Sequence, residues 1–372
     1  MSDSFYMFDA ASLPDELYTP ETPVERWIER CHTAGPQGFA KGAFTTLVPI
    51  KAHVLLERTV GIALWMVMNM LPFALPITLA ISRRYLFLPL LVYTATLWLI
   101  ALPFGLYYSY FAAPLKGEGA YAAQYMYTER NNSKYVSLRL LWPKSLHYPA
   151  AAEKPLLFLA IPHGFAPLGI TCYPLWSKLF SRRLCRWTTA PVVLRLPLVG
   201  TLMRKIGYIA AEKKAIEETL VKREESVGVV LDGVAGMFYP GGSKEETAFV
   251  KQRKGIIKIA LRAGATVVPV YGFGHTDLWT ILADPFGLMR AISMRLDTSV
   301  VLGLGRWGWP IGPPKRAPVT VALGEPISCP HCADPTNELV AEYHDKLLDG
   351  YKKLFDTHKA AAGIPQKELR FV

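Results

Sequence analysis

Charge is scarce in this chain of 372 residues: Asp, Glu, Lys and Arg supply 19% of it, against 51% for the apolar types. Ordinary globular domains carry about 25% charged residues. The deficit is local, since no charged residue falls in 59–82 and, after Arg83 and Arg84, none falls in 85–115. Cysteine is scarce too, with Cys31, Cys172, Cys185, Cys329 and Cys332 odd in number and irregular in spacing. That argues against a disulfide framework and fits a reducing compartment. Residues 1–29 are acidic and lack a basic stretch running into a short apolar one, so a cleaved signal peptide is not expected. A GxSxG motif is missing, which counts against a serine hydrolase, and there is no internal repeat or low-complexity tract.

Acid is the minority sign: 30 acidic against 41 basic residues give a formal charge of +11. Such a balance favours polyanions, whether nucleic acid, anionic headgroups or a phosphorylated cofactor. The basic residues of the second half carry no interleaved aromatic stripe and no nucleic-acid motif, so no nucleic-acid partner is expected. A membrane surface and an acidic cofactor fit better.

The two uncharged stretches are each long enough to cross a bilayer. They read as a membrane hairpin over 59–115, either two transmembrane segments or a re-entrant pair, with Pro72, Pro76 and Pro89 suiting a broken geometry. Both flanks then lie on one side, and Lys41, Lys51, Arg58 and Lys116 place that side in the cytosol. Residues 1–58 read as a cytosolic, partly ordered arm and 116–372 as the catalytic unit.

From Gln124 onward, short apolar runs alternate with amphipathic stretches. Runs at 155–161, 191–194, 227–231, 266–271 and 319–323 predict buried strands. Stretches at 168–180, 214–223, 247–262 and from Thr336 to about Ala361 predict helices, the last with capping residues before it. Alternation of this kind predicts an α/β fold with a largely parallel sheet flanked by helices.

Three places can carry chemistry. His163 and Gly164 follow the first predicted strand, at the sheet edge where open α/β folds bind ligands. A neutral imidazole there can take a proton from an alcohol; a satisfied loop histidine is the plainer alternative. Asp232, Gly233 and Gly236 follow the strand at 227–231. Their loop can offer backbone N–H groups to an oxyanion or phosphate, or be only a tight turn. Lys251, Lys254, Lys258 and Arg262 share one face of a predicted helix, beside Arg253. They can hold the phosphates of coenzyme A or form a solvated face.

Other patterns are set aside. The GxGxxG of Gly303, Gly305 and Gly308 is followed by Trp309 and Pro310, not by a helix. Cys329, His331 and Cys332 lack a second ligand pair, so no metal is expected. His344 and Asp349 are five apart on a predicted helix, so their side chains diverge.

In order, these segments resemble the type 2 diacylglycerol acyltransferase family, which includes monoacylglycerol and wax-alcohol acyltransferases. Its HPHG block is similar to Ile161-Pro162-His163-Gly164, with Gly169 matching the next glycine. Its RxGFxKxAxxxGxxLVPVxxFGE block is similar to 253–274, and its closing segment to 319–328, Pro335-Thr336 and 351–365. Two departures stand out: the family's loop glutamate falls at Gly236 and the acid of FGE at His275. The resemblance implies a glycerolipid-acyltransferase-like fold and transfer of an acyl group from acyl-CoA to diacylglycerol, giving triacylglycerol. Monoacylglycerol or a long-chain alcohol is the alternative acceptor, and an inactive membrane-bound scaffold the alternative class. The expected catalytic pair is His163 with Asp232, with Gly164, Gly233 and Gly236 supplying oxyanion donors. Arg253, Lys254 and Lys258 are expected on acyl-CoA, a donor substrate; no permanently bound cofactor is implied. Membrane lipids are the implied partners, and a homo-oligomer is compatible. The implied location is the endoplasmic-reticulum membrane or the lipid-droplet surface, with a cytosolic catalytic domain.

Overall fold

The computed structural model describes residues 5–10, short stretches between 26 and 59, 134–146, 154–170, 185–195, most of 200–239, 242–296, 301–309 and 312–372. The predicted hairpin, apart from Thr59, lies outside the described residues. Among the described residues no helix is long and apolar enough to cross a membrane.

The strands in chain order are β1 (Phe5–Asp9), β2 (His32–Ala34), β3 (Arg139–Pro143), β4 (Leu156–Ile161), β5 (Cys185–Thr189), β6 (Ile209–Ala210), β7 (Ser226–Val230), β8 (Glu245–Ala248), β9 (Thr266–Phe273), β10 (Thr280–Ile281), β11 (Gly303–Leu304), β12 (Thr320–Leu323), β13 (Ile327–Ser328) and β14 (Glu368–Phe371). Helices α1 (Pro191–Arg195), α2 (Lys213–Val221), α3 (Gly233–Gly236), α4 (Gly255–Ala263), α5 (Leu288–Leu296) and α6 (Asn337–His358) lie between them.

The main sheet runs β2-β1-β3-β12-β9-β4-β7-β5-β6, with β13 on β9. Its centre, β9-β4-β7-β5, is parallel throughout. Strand β12 is antiparallel to β9 but parallel to β3, and β1 is antiparallel to β3. The expected α/β fold with a largely parallel sheet is therefore present. All six residues of β4, Leu-Leu-Phe-Leu-Ala-Ile, are buried, as befits a strand covered on both faces. Phe158 and Ala160 join the core on one face; Leu157, Leu159 and Ile161 join the other.

The second core is closed by α4 and α6. Thr336 caps α6 by accepting from the Leu339 N–H, and the helix buries Val340, His344, Leu347, Tyr351, Leu354 and His358 at spacings of three and four. The Tyr351 hydroxyl donates to the Leu159 carbonyl at 2.8 Å, fixing α6 against β4.

Two sequence expectations change. The run at 191–194 is helix α1, not a strand: Pro191 suits a first helical position, and four apolar residues cannot reveal their period. The expected helix at 247–262 begins only at Gly255, because Glu245–Ala248 pairs in parallel with Glu368–Phe371 from far along the chain. Within the expected arm, Phe5–Asp9 is a sheet strand whose Phe5 and Phe8 are buried. Of the predicted helix at 168–180, residues 171–180 lie outside the described residues.

Candidate active site

Strands β4, β7 and β9 are parallel, so the loops that leave them meet at one sheet edge. The loop after β4 carries His163 and Gly164. The turn after β7 carries Asp232 and opens α3. The turn after β9 carries Gly274 and His275.

His163 is half-buried, and its backbone N–H donates to Asp232 Oδ2 at 3.0 Å. Its Nδ1 lies 2.9 Å from the Gly164 carbonyl oxygen. A nitrogen facing a carbonyl holds the ring proton, which leaves the lone pair on Nε2. Desolvation lowers the imidazole pKa below its usual 6.5, outweighing the bond to Gly164. The ring is therefore neutral near pH 7 and able to accept a proton. Gly164 has φ of +59°, where a β carbon would also lie 3.0 Å from the His275 carbonyl oxygen.

Asp232 is 1% exposed. Burial pushes its pKa up to about 7, against the opposing effects of the His163 N–H and of Arg253. Among the described residues its Oδ1 has no hydrogen-bond partner. The structure thus brings Asp232 to His163, but the contact runs through the backbone N–H and not through the imidazole. Gly233 sits at φ of +53° in the turn, and the Gly236 N–H is occupied by the Asp232 carbonyl at 3.1 Å. Gly236 therefore offers no spare donor, whereas the Gly164 N–H has no partner among the described residues.

A residue that sequence reasoning treated only as a lost acid holds this arrangement together. His275 is fully buried, and its Nε2 accepts from the Gly169 N–H at 3.1 Å. The proton is then on Nδ1, which faces the Pro162 carbonyl oxygen at 3.4 Å. One ring grips the His163 loop at two points. Burial pushes the His275 pKa down to about 4, so the ring stays neutral. Gly169 and Gly272 make room for it, since β carbons there would lie 2.9 Å from Nε2 and 2.6 Å from Nδ1. The available signal was its position, directly after a strand parallel to the one preceding His163.

Arg253 also reaches the site. Its Nη2 is 3.5 Å from the Asp232 carbonyl oxygen, and its guanidinium lies over the Phe249 ring, 5.4 Å from the centroid. Lys254 is exposed at the start of α4, and Lys258 follows one turn on. The fourth member of the expected stripe is committed elsewhere: Arg262 pairs with Glu217 at 3.6 Å and Asp334 at 3.9 Å. His344 is buried against the Val250 carbonyl and Asp349 is exposed, so that pair does diverge. Gly303–Leu304 runs into a short 3-10 turn and not a phosphate-binding helix. A cavity of about 270 Å³ beside Phe273 and Asp277 is lined by none of the predicted site residues.

The chain matches the diacylglycerol acyltransferase family over residues 90–371. It is 28% identical over 222 residues to bovine 2-acylglycerol O-acyltransferase 1, covering 56% of this chain and 66% of that protein. It is 26% identical over 301 residues to diacylglycerol O-acyltransferase 2 of Dictyostelium discoideum, covering 77% and 88%. Mouse acyl-CoA wax alcohol acyltransferase 2 is 26% identical over 259 residues, covering 64% and 75%. No solved structure matches. The match over most of the chain places it in the diacylglycerol acyltransferase family.

Proposed function

We propose that the chain transfers a fatty acyl group from acyl-CoA to the free hydroxyl of diacylglycerol, forming triacylglycerol. The observation that carries this reading is the neutral His163 with its lone pair on Nε2, held at the C-terminal edge of the sheet. His163 takes the proton of the acceptor hydroxyl as its oxygen attacks the thioester carbonyl. The Gly164 N–H, which has no partner among the described residues, is the backbone donor for the resulting oxyanion. Collapse of the tetrahedral intermediate expels the coenzyme A thiolate, which takes the proton back from the imidazolium. No acyl-enzyme is required. Arg253, Lys254 and Lys258 supply positive charge beside the Asp232 turn for the phosphates of the donor.

Relatives named for 2-acylglycerol and wax-alcohol acylation support the same chemistry on other hydroxyls, so the acceptor is the finer part of the proposal. The test uses microsomes containing the full chain, labelled acyl-CoA, and diacylglycerol, monoacylglycerol or a long-chain alcohol in competition. Labelled triacylglycerol as the main product, lost in His163→Ala, is the expected result. Preference for another acceptor overturns the diacylglycerol assignment. Absence of any product overturns the catalytic reading.

A further inference from the structure

Of the eight large apolar side chains exposed among the described residues, six lie between 286 and 309: Phe286, Leu288, Ile292, Leu302, Trp307 and Trp309. Phe286 is 93% exposed and Trp307 69%. They rise from one small scaffold. Strands β10 and β11 pair, the Leu282 N–H donates to the Leu302 carbonyl at 2.9 Å, and Asp284 Oδ2 accepts from the Arg290 N–H at the head of α5. Trp307 is held at φ of +58°, an unfavourable backbone region for a bulky residue, with its ring in solvent beneath the Arg306 guanidinium at 4.5 Å. Such strain persists only where the surroundings enforce it.

Charge over the same segment is one-sided. Residues 280–316 contain Arg290, Arg295, Arg306, Lys315 and Arg316 against two acids, Asp284 and Asp297. Exposed aromatic and aliphatic side chains in a segment with an excess of arginine match the interfacial region of an anionic bilayer. Rings settle there at headgroup depth, and guanidinium groups meet lipid phosphates. The scaffold also touches two of the three loops of the site. Helix α5 packs on α3, which Asp232 opens, and Gly303 of β11 lies so close to Phe165 that a β carbon would be 2.6 Å from its ring.

We propose that 286–296 and 301–309 form a docking face for the surface of an anionic phospholipid bilayer, and that it sets the His163 loop against the headgroup layer. This deepens the acyltransfer reading by supplying a route for a water-insoluble acceptor, although the docking itself needs no turnover. Phe286, Leu288, Trp307 and Trp309 enter the interface while Arg290 and Arg306 remain with the phosphates.

The test uses the full chain reconstituted in phosphatidylcholine/phosphatidylserine vesicles. A fluorescent unnatural amino acid is incorporated in place of Trp307 or Leu288 or, as a control, the exposed Lys353 of α6. Spin-labelled phosphatidylcholine is expected to quench the probes at 307 and 288 at least about threefold more than the probe at 353. Omitting phosphatidylserine should weaken that quenching. Quenching at 307 and 288 no greater than at 353 overturns the docking face, as does shielding of these probes by protein contact in detergent. Equal quenching in neutral vesicles overturns the anionic specificity. The readout is independent of catalysis, so its failure leaves the acyltransfer reading intact, and an inactive enzyme leaves the docking result intact.

Discussion

The carboxylate of Asp232 occupies the space that any side chain on Gly236 would need: a β carbon built on Gly236 collides with Asp232 Oδ2, Cγ and Cβ. The two positions stand one helical turn apart at the start of α3 and share one volume. The resemblance puts an acid at 236; here the acid reaches in from 232. Gly236→Ala should therefore destabilise the chain, and Asp232→Gly should relieve much of that cost. A double-mutant cycle on thermal unfolding should return a coupling of roughly 0.5–3 kcal/mol. Additive effects would mean that the two residues do not compete.

His163→Ala should lower the transfer rate by about 10²–10⁴-fold, the usual worth of a general base, while circular dichroism stays unchanged. The loop position and partial exposure of the residue predict that separation. The active form is the neutral imidazole and its pKa is lowered from 6.5, so kcat/KM should be level near pH 7. It should fall on the acid side with an apparent pKa below 6.5, measured as a pH–rate profile.

His275→Leu removes a donor and an acceptor at once, leaving the Gly169 N–H and the Pro162 carbonyl unpaired. Each orphaned group costs about 1–3 kcal/mol. The melting temperature should drop, and kcat should drop with it as the His163 loop loosens. In the unfolded chain this histidine titrates near 6.5, against about 4 when folded. Between those values the unfolded state binds the extra proton, so the natural chain loses stability as pH falls from about 6.5 towards 4. The variant should lack that component, as melting curves across this range would reveal.

Asp232→Asn should show the opposite slope. The folded pKa of about 7 exceeds the unfolded value near 3.8, so the folded state is the one that keeps the proton between them. The natural carboxyl therefore costs stability progressively as pH rises from about 4 to 7, and the full cost persists above 7. The amide should raise the melting temperature at pH 8 relative to its effect at pH 4. A pH-independent difference would rule out a buried, titrating carboxyl.

Arg253→Ala should raise KM for acyl-CoA by roughly tenfold with a smaller change in kcat, as expected for a contact made equally in ground and transition states. Lys254→Ala, at an exposed position, and Lys258→Ala, one turn further along α4, should do less. Initial-rate kinetics with varied donor concentration would separate the three.

The sequence disclosed those parts of the fold whose physics is local. The fully apolar run of β4 and the three-four periodicity of α6 announce themselves, and so does a histidine directly after a buried strand. Pairings between distant segments left no local trace. Glu245–Ala248 is a strand only because Glu368–Phe371 lies beside it. The role of His275 depends on two backbone groups of a loop more than a hundred positions earlier, brought within reach by the β4–β9 pairing. The acid at 232 was found from its loop, but its hold on a backbone N–H and not the imidazole is a matter of side-chain direction, which spacing does not encode.

The pairing of β1 with β3 imposes a parity rule on the chain between them. Phe5–Asp9 and Arg139–Pro143 are zipped edge to edge, and Arg139 also donates to the Thr46 carbonyl at 2.9 Å. The uncharged stretches of 59–115 are threaded between these two ends of a closed clasp. An odd number of bilayer crossings would leave the partners on opposite faces and tear the clasp open. If the hairpin expected from the sequence enters a bilayer, it has to come back to the leaflet it entered from.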